Sequence, residues 1–266
     1  KELIFDLPDE QIVTRQEGNT RLYDAGKAGV YAGLRRFQLK HEGENPTGSF
    51  KDRGMTCGTT AAKFYNAKTV ACASTGNTSA SMASYAAVSG MESVIFIPEG
   101  KIAYGKLAQA LAYGGRTLQI RGNFDDAQSG VKALFSSADF HQQVNARGKV
   151  LSSANSINFG RLVPQIVYYF SAYADLLNAG AIALGDEVNF VVPTGNFGNI
   201  LAGYYARSMG LPVKKLICAS NRNNVLTDFF LGGVYDTRRQ FFKTTSPSMD
   251  ILISSNLERL LFECAD

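Results

Sequence analysis

The chain has 266 residues, 45% of them hydrophobic and 19% charged, with a formal charge of +4. That balance excludes a disordered chain, which combines low hydrophobicity with high net charge. It also argues against a nucleic-acid partner, because the basic residues fall in short groups (Arg35-Arg36, Lys214-Lys215, Arg238-Arg239) and not in a stripe.

In chain order, the alternation over 36–40 predicts a strand and residues 52–66 a helix. Thr69 to Ala73 reads as a buried strand, Ser79 to Val88 as an Ala-rich helix, and Ser93 to Ile97 as a second buried strand stopped by Pro98. A helix over Ile102 to Tyr113, a strand over Thr117 to Ile120 and a helix over 124–137 follow. The more polar segment at about 139–153 reads as a joint between subdomains. Leu162 to Asn178 then has a long helical pattern, Val188 to Val192 reads as a buried strand, Asn199 to Met209 as a helix, Leu216 to Ala219 as a strand and Leu257 to Cys264 as a helix. Strands alternating with helices indicate βαβ units, hence an α/β class with mainly parallel sheets covered by helices. Ligands then bind beyond the carboxyl ends of the strands.

No apolar run reaches the ~18 residues of a membrane-spanning helix, and the first residues are too acidic for a signal peptide. The four cysteines (Cys57, Cys72, Cys218, Cys264) form no CxxC pair and have no His at ligand spacing, so neither a metal site nor a disulfide framework is expected. A cytoplasmic protein without a membrane partner is the expectation.

Three segments carry chemistry. In the first, Glu44 to Gly54, Lys51 opens a predicted helix, where the positive end of the macrodipole favours a neutral amine. Schiff-base chemistry needs such an amine, although a surface lysine after a turn is the plain alternative. The second segment, Ser74-Thr75-Gly76-Asn77-Thr78-Ser79, offers hydroxyls and amides at a strand-to-helix turn. It suits a carboxylate, or serves merely as a helix cap. In the third, Pro193 to Asn199, Gly195 and Gly198 permit close backbone approach to a phosphate at a helix N-terminus, or make an ordinary βα turn. In a parallel sheet all three converge at the strand carboxyl ends. An imine-forming amine, a carboxylate cradle and a phosphate cradle together match a pyridoxal-phosphate enzyme acting on an amino acid.

The sequence here resembles the threonine synthases, among the fold-type II pyridoxal-phosphate enzymes. The resemblance runs from about residue 15 to the end, through residues 44–54, 74–80, Pro98 to Lys101, Lys106 to Ala110, Gly122 to Ala127, Ser152 to Leu162, Pro193 to Asn199 and the segment Ser246 to Asn256. It implies two open twisted, mainly parallel sheets, a smaller domain of 52–150 inserted in a larger one of 1–51 and 151–266, and pyridoxal 5′-phosphate as cofactor. It further implies that Lys51 carries the cofactor and serves as nucleophile and general base, with Phe50 beside it, and that Asn77 meets the 3′-oxygen of the ring. Gly195, Asn196, Phe197, Gly198 and Asn199 would hold the cofactor phosphate. Ser74, Thr75, Gly76 and Thr78 would hold the substrate carboxylate, with Lys106, Ser156 and Arg161 the candidates for the substrate phosphate. The implied reaction converts O-phosphohomoserine and water to threonine and phosphate, with a homodimer as the suggested assembly. The rival readings are a serine/threonine dehydratase and a non-catalytic cofactor-binding module.

The chain ends at Asp266, earlier than the family pattern, which reads as C-terminal incompleteness, and no residue is named for the pyridine nitrogen. The portion to about residue 120 and the portion from about 122 resemble different branches, which suggests a chimera, a reconstruction or a designed chain. Arg21 stands where the family has Pro.

Overall fold

A computed structural model describes residues 6–99, 104–122, 124–147, 151–154 and 158–265. The chain divides into two compact units, Lys1–Arg161 and Leu162–Asp266.

The first unit begins with a short antiparallel ribbon of β1 (Leu22–Asp24) and β2 (Gln38–Lys40), with α1 (Gly26–Tyr31) between them. Then come α2 (Lys51–Phe64), β3 (Thr69–Ala73), α3 (Asn77–Ser89), β4 (Glu92–Pro98), α4 (Tyr104–Ala112), β5 (Arg116–Ile120), α5 (Phe124–Ser136), α6 (Ala138–Ala146) and β6 (Leu151–Ser153). The four later strands form one sheet in the order β5-β4-β3-β6, and every pairing is parallel.

Position in the sheet explains why β3 is apolar throughout. It lies between β4 and β6 with helices against both faces, so all five of its residues are buried. Val70 and Cys72 pack with Met82, Ala83 and Ala86 of α3, while Ala73 packs with Ala127 and Val131 of α5. Small residues on α3 let helix and sheet approach closely, and Gly90, at φ +71°, closes that helix in the left-handed conformation.

The second unit holds α7 (Val167–Asn178), β7 (Val188–Pro193), α8 (Gly198–Ser208), β8 (Val213–Ala219), α9 (Val225–Gly232) and α10 (Leu257–Glu263). β7 and β8 make a two-stranded parallel sheet joined through α8. Its core is aromatic. The Tyr169 ring stands 5.0 Å from that of Phe190, and a Cβ on Gly203 would meet Tyr169 at 2.8 Å and Leu216 at 2.9 Å. Only glycine lets α8 settle that closely.

Parallel sheets flanked by helices match the α/β reading, with three differences. The strand read as buried at 188–192 is half open: covered and open positions alternate along β7, and the open ones include Val191, 54% exposed. The pattern at 162–178 splits into a 3-10 turn, Val163–Ile166, and α7, because Pro164 has no N–H for a helical ladder. The polar stretch at 139–153 contains α6 and the edge strand β6, whose three residues are too few to show a period. Among the described residues no helix is long and apolar enough to cross a membrane.

Candidate active site

In the first unit the start of α2 is built by the turn before it. Gly48 adopts φ +76°, open to glycine at no steric cost, and its N–H donates to the Asn45 carbonyl at 2.8 Å. Asp52 is fully buried and takes three donors: the Thr47 N–H at 2.7 Å, the Thr47 hydroxyl at 2.6 Å and the Ser81 hydroxyl of α3 at 2.5 Å. A buried carboxylate is tolerated only when its lone pairs are satisfied in this way. The three bonds fix the turn and tie the starts of α2 and α3 together.

Lys51, the first residue of α2, projects from this fixed point. Its Nζ lies 4.2 Å from the centre of the Phe50 ring. Enclosure by protein, and after it the Arg161 charge, push its amine down from 10.5 to about 7. Both causes penalise the charged form, so Lys51 gives up its proton far more readily than an exposed lysine.

Arg161 is 1% exposed, lies along Gly54 and Gly58 of α2, and donates through Nη1 to the Ala154 carbonyl. Burial lowers it to about 10, so it remains a cation at neutral pH. Lys106 of α4 reaches the same turn, donating to the Thr47 carbonyl at 3.0 Å and to Gln109 Oε1 at 3.3 Å.

The 74–78 loop follows β3 and leads into α3. Ser74 Oγ accepts from the amides of Gly76 (3.2 Å) and Ser79 (3.3 Å), and the Ser79 hydroxyl donates back to the Gly76 carbonyl at 2.8 Å. Ser74 thus satisfies two backbone amides where the chain turns into α3. Thr75, Gly76, Asn77 and Thr78 are half-buried along the loop, and a Cβ on Gly76 would meet nothing within 4 Å. The first unit therefore carries Lys51, Phe50, Ser74 to Thr78, Lys106 and Arg161. Ser156 lies outside the described residues.

The 193–199 loop belongs to the second unit. Thr194 anchors it, its N–H donating to the Ala219 carbonyl at 2.8 Å and its hydroxyl to the Val192 carbonyl at 2.7 Å. Phe197 takes the left-handed conformation at φ +63°, with its buried ring 5.9 Å from that of Phe230. The chain then turns into α8, whose first-turn amides have no intrahelical acceptor and carry the positive end of the helix dipole. Asn199 Oδ1 accepts from the hydroxyls of Tyr168 (2.6 Å) and Tyr169 (2.8 Å), which pins the first turn to α7. Three residues of a later segment also hold this loop: Ser254, Ser255 and Asn256. Nothing in the spacing of Ser246 to Asn256 assigns that segment a role at this loop. Among the described residues no group of three or more His, Cys, Asp or Glu is placed to hold a metal ion.

The first unit thus holds an amine near neutrality at a helix start, and the second a glycine loop at a helix start. The sequence profile of the pyridoxal-phosphate dependent enzymes matches residues 13–266. The chain belongs to that family. Pyridoxal 5′-phosphate is accordingly the indicated cofactor.

Among pyridoxal-phosphate dependent enzymes, the chain is similar to threonine synthases. It is 49% identical over 173 residues to threonine synthase-like 1 of Homo sapiens, covering 63% of this chain and 23% of that protein. It is 45% identical over 194 residues to the threonine synthase of Methanocaldococcus jannaschii, covering 73% and 44%. The crystal structure of pyridoxal-phosphate-bound threonine synthase from Brucella melitensis superposes with a TM-score of 0.74 at 34% identity, over 95% of this chain and 52% of that one. The chain thus spans between 23% and 52% of the length of these relatives.

Proposed function

We propose that the chain provides pyridoxal-phosphate chemistry for converting O-phosphohomoserine and water to threonine and phosphate. The observation that carries the reading is Lys51, an amine pushed to about 7 at the start of α2. The likeness to threonine synthases supports the choice of substrate.

The donor chemistry fits the cofactor. An aldehyde needs a neutral amine, and Lys51 supplies one near neutral pH. A phosphate ester needs N–H donors and little competing negative charge, and the loop before α8 has the first-turn amides and no carboxylate between Pro193 and Asn199. The open space at Gly76 leaves room beside the 74–78 loop.

When bound, pyridoxal phosphate supplies an electron sink for the substrate α-carbon. The chain's own residues do the remaining work. Lys51 would hold the cofactor aldehyde, and its free amine would take the proton from the substrate α-carbon. Its depressed pKa suits that task, since a base works best with a pKa near the operating pH. Phe50 packs beside the amine, and Asn77 would meet the 3′-oxygen of the ring. Ser74, Thr75, Gly76 and Thr78 orient the substrate carboxylate through amides and hydroxyls. Gly195, Asn196, Phe197, Gly198 and Asn199 hold the cofactor phosphate. Lys106 and Arg161 supply positive charge for the phosphate that leaves the substrate.

The test is phosphate release from O-phosphohomoserine by folded, cofactor-loaded protein beside Lys51→Ala. Release by the wild type, lost in the variant, is expected. No release above blank overturns the reading, and release of a 2-oxo acid from threonine would replace it with a dehydratase.

A further inference from the structure

The segment Ser254 to Asn256 has no part in the chemistry above, yet its polar groups converge on the loop before α8. The Ser254 hydroxyl donates to the Gly195 carbonyl at 2.5 Å. The Ser255 N–H and hydroxyl both donate to Asn196 Oδ1, at 3.1 and 3.0 Å. The Asn256 N–H and Nδ2 both donate to the Asn196 carbonyl, at 3.3 and 3.1 Å. Five donors on three consecutive residues thus occupy all three carbonyl oxygens of Gly195 and Asn196. Ser254 is 4% exposed and Asn256 fully buried, so water does not compete for these bonds.

Two observations set this apart from ordinary helix capping. Asn256 is the N-cap residue of α10, a position where an Asn side chain normally accepts from the first-turn amides. Here it makes no such bond. Its amide is instead turned to Asn196, which leaves Oδ1 buried without a hydrogen-bond partner among the described residues. The helix forgoes its cap and strands an acceptor so that the loop is held, and such local conflicts mark functional places. Second, the Asn256 amide lies against α8 itself, since a Cβ on Gly198 would stand 3.4 Å from Nδ2. The Ser254 N–H is in turn fixed by the Tyr235 hydroxyl at 2.7 Å.

An anion cradle built from backbone must present N–H groups and keep its carbonyls otherwise engaged, because free lone pairs repel the anion. We propose that Ser254, Ser255 and Asn256 are positioning residues for the phosphate group of the cofactor: by engaging the Gly195 and Asn196 oxygens they fix the loop with its amides available to the anion. This rests on the reading of Gly195 to Asn199 as the phosphate cradle.

The test separates phosphate from aldehyde. Wild type, Asn256→Ala and Ser254→Ala are titrated with pyridoxal phosphate and, separately, with pyridoxal, which has the same aldehyde and no phosphate. The readout is the visible absorption band of the lysine-bound form. The wild type should prefer pyridoxal phosphate. Each variant should lose about tenfold of its affinity for pyridoxal phosphate, the worth of one to two hydrogen bonds, with affinity for pyridoxal unchanged. Equal loss for both ligands, or no loss, overturns the proposal. If Asn256→Ala does not fold by circular dichroism, the same ratio is read from Ser254→Ala, whose lost hydroxyl removes one bond only. A wild type that binds both ligands equally removes the cradle reading, a separate result from a wild-type preference that the variants retain.

Discussion

Gly54 and Arg161 meet backbone to backbone: a methyl group on Gly54 would run into the Arg161 carbonyl oxygen. The contact involves main chain on both sides, so no side chain can swing away to relieve it. Gly54→Ala should therefore destabilise the protein by about 1–3 kcal/mol, the range for overpacking that moves backbone. Gly58, where a Cβ would touch only the Arg161 side chain at 3.4 Å, should tolerate alanine better. Urea unfolding of the two variants checks the order.

Asp52 should be the most sensitive polar residue of the first unit. In Asp52→Asn the amide keeps one acceptor oxygen where three donors converge, and its own N–H₂ faces a donor. A loss of about 2–4 kcal/mol is expected, set by donors left unsatisfied in a buried place. Ser81→Ala, which removes one donor, should cost about 1 kcal/mol. Equal effects of the two substitutions would show that the carboxylate is not the organising group.

The amine of Lys51 gives a pH dependence with a definite sign. Its pKa is lower in the folded state (about 7) than the ordinary 10.5, so between those values the unfolded chain binds more protons. Stability from this group therefore rises with pH from about 7 to 10.5 and is lowest below 7. Cofactor-free wild type should gain stability relative to Lys51→Met as pH rises from 7 to 10. A constant difference would mean that the amine is not perturbed. Arg161→Met should raise the midpoint for cofactor attachment above 7 while leaving it below 10.5, because burial is the larger cause and stays.

Phe197 combines a buried ring with φ +63°. Phe197→Ala loses the packing against Phe230 and keeps the backbone cost, whereas Phe197→Gly loses the same packing and relieves about 1 kcal/mol of left-handed strain. Glycine should thus be the milder substitution at this helix start, by about that amount, against the usual ranking. Thermal unfolding of the two variants decides it.

What the sequence made legible was local. β3 was readable over its full length because burial on both faces leaves a continuous apolar run between turn residues. α2 announced itself by its pattern, and the structure begins it one residue earlier, at Lys51. The three-residue strands β1 and β6 have too few positions to show a period. The glycines of 193–199 marked a turn before a helix, but the hold of Ser254 on Gly195 spans 59 positions, and that of Ser81 on Asp52 spans 29. No spacing rule relates such residues, because they become neighbours only when helices and strands pack.

The two-stranded sheet of the second unit carries one more consequence. β7 pairs with β8 alone among the described residues, and Val191 and Ile217 stay 54% and 42% exposed. Two strands by themselves are marginal, and the loop ahead of α8 hangs from the end of β7. An anion held at that helix start would draw down the opened forms of the sheet by mass action. Ligand capture and the ordering of β7 and β8 thus become a single equilibrium, and amide hydrogens of Val191 and Ile217 would report cofactor concentration as faithfully as the cofactor's own colour.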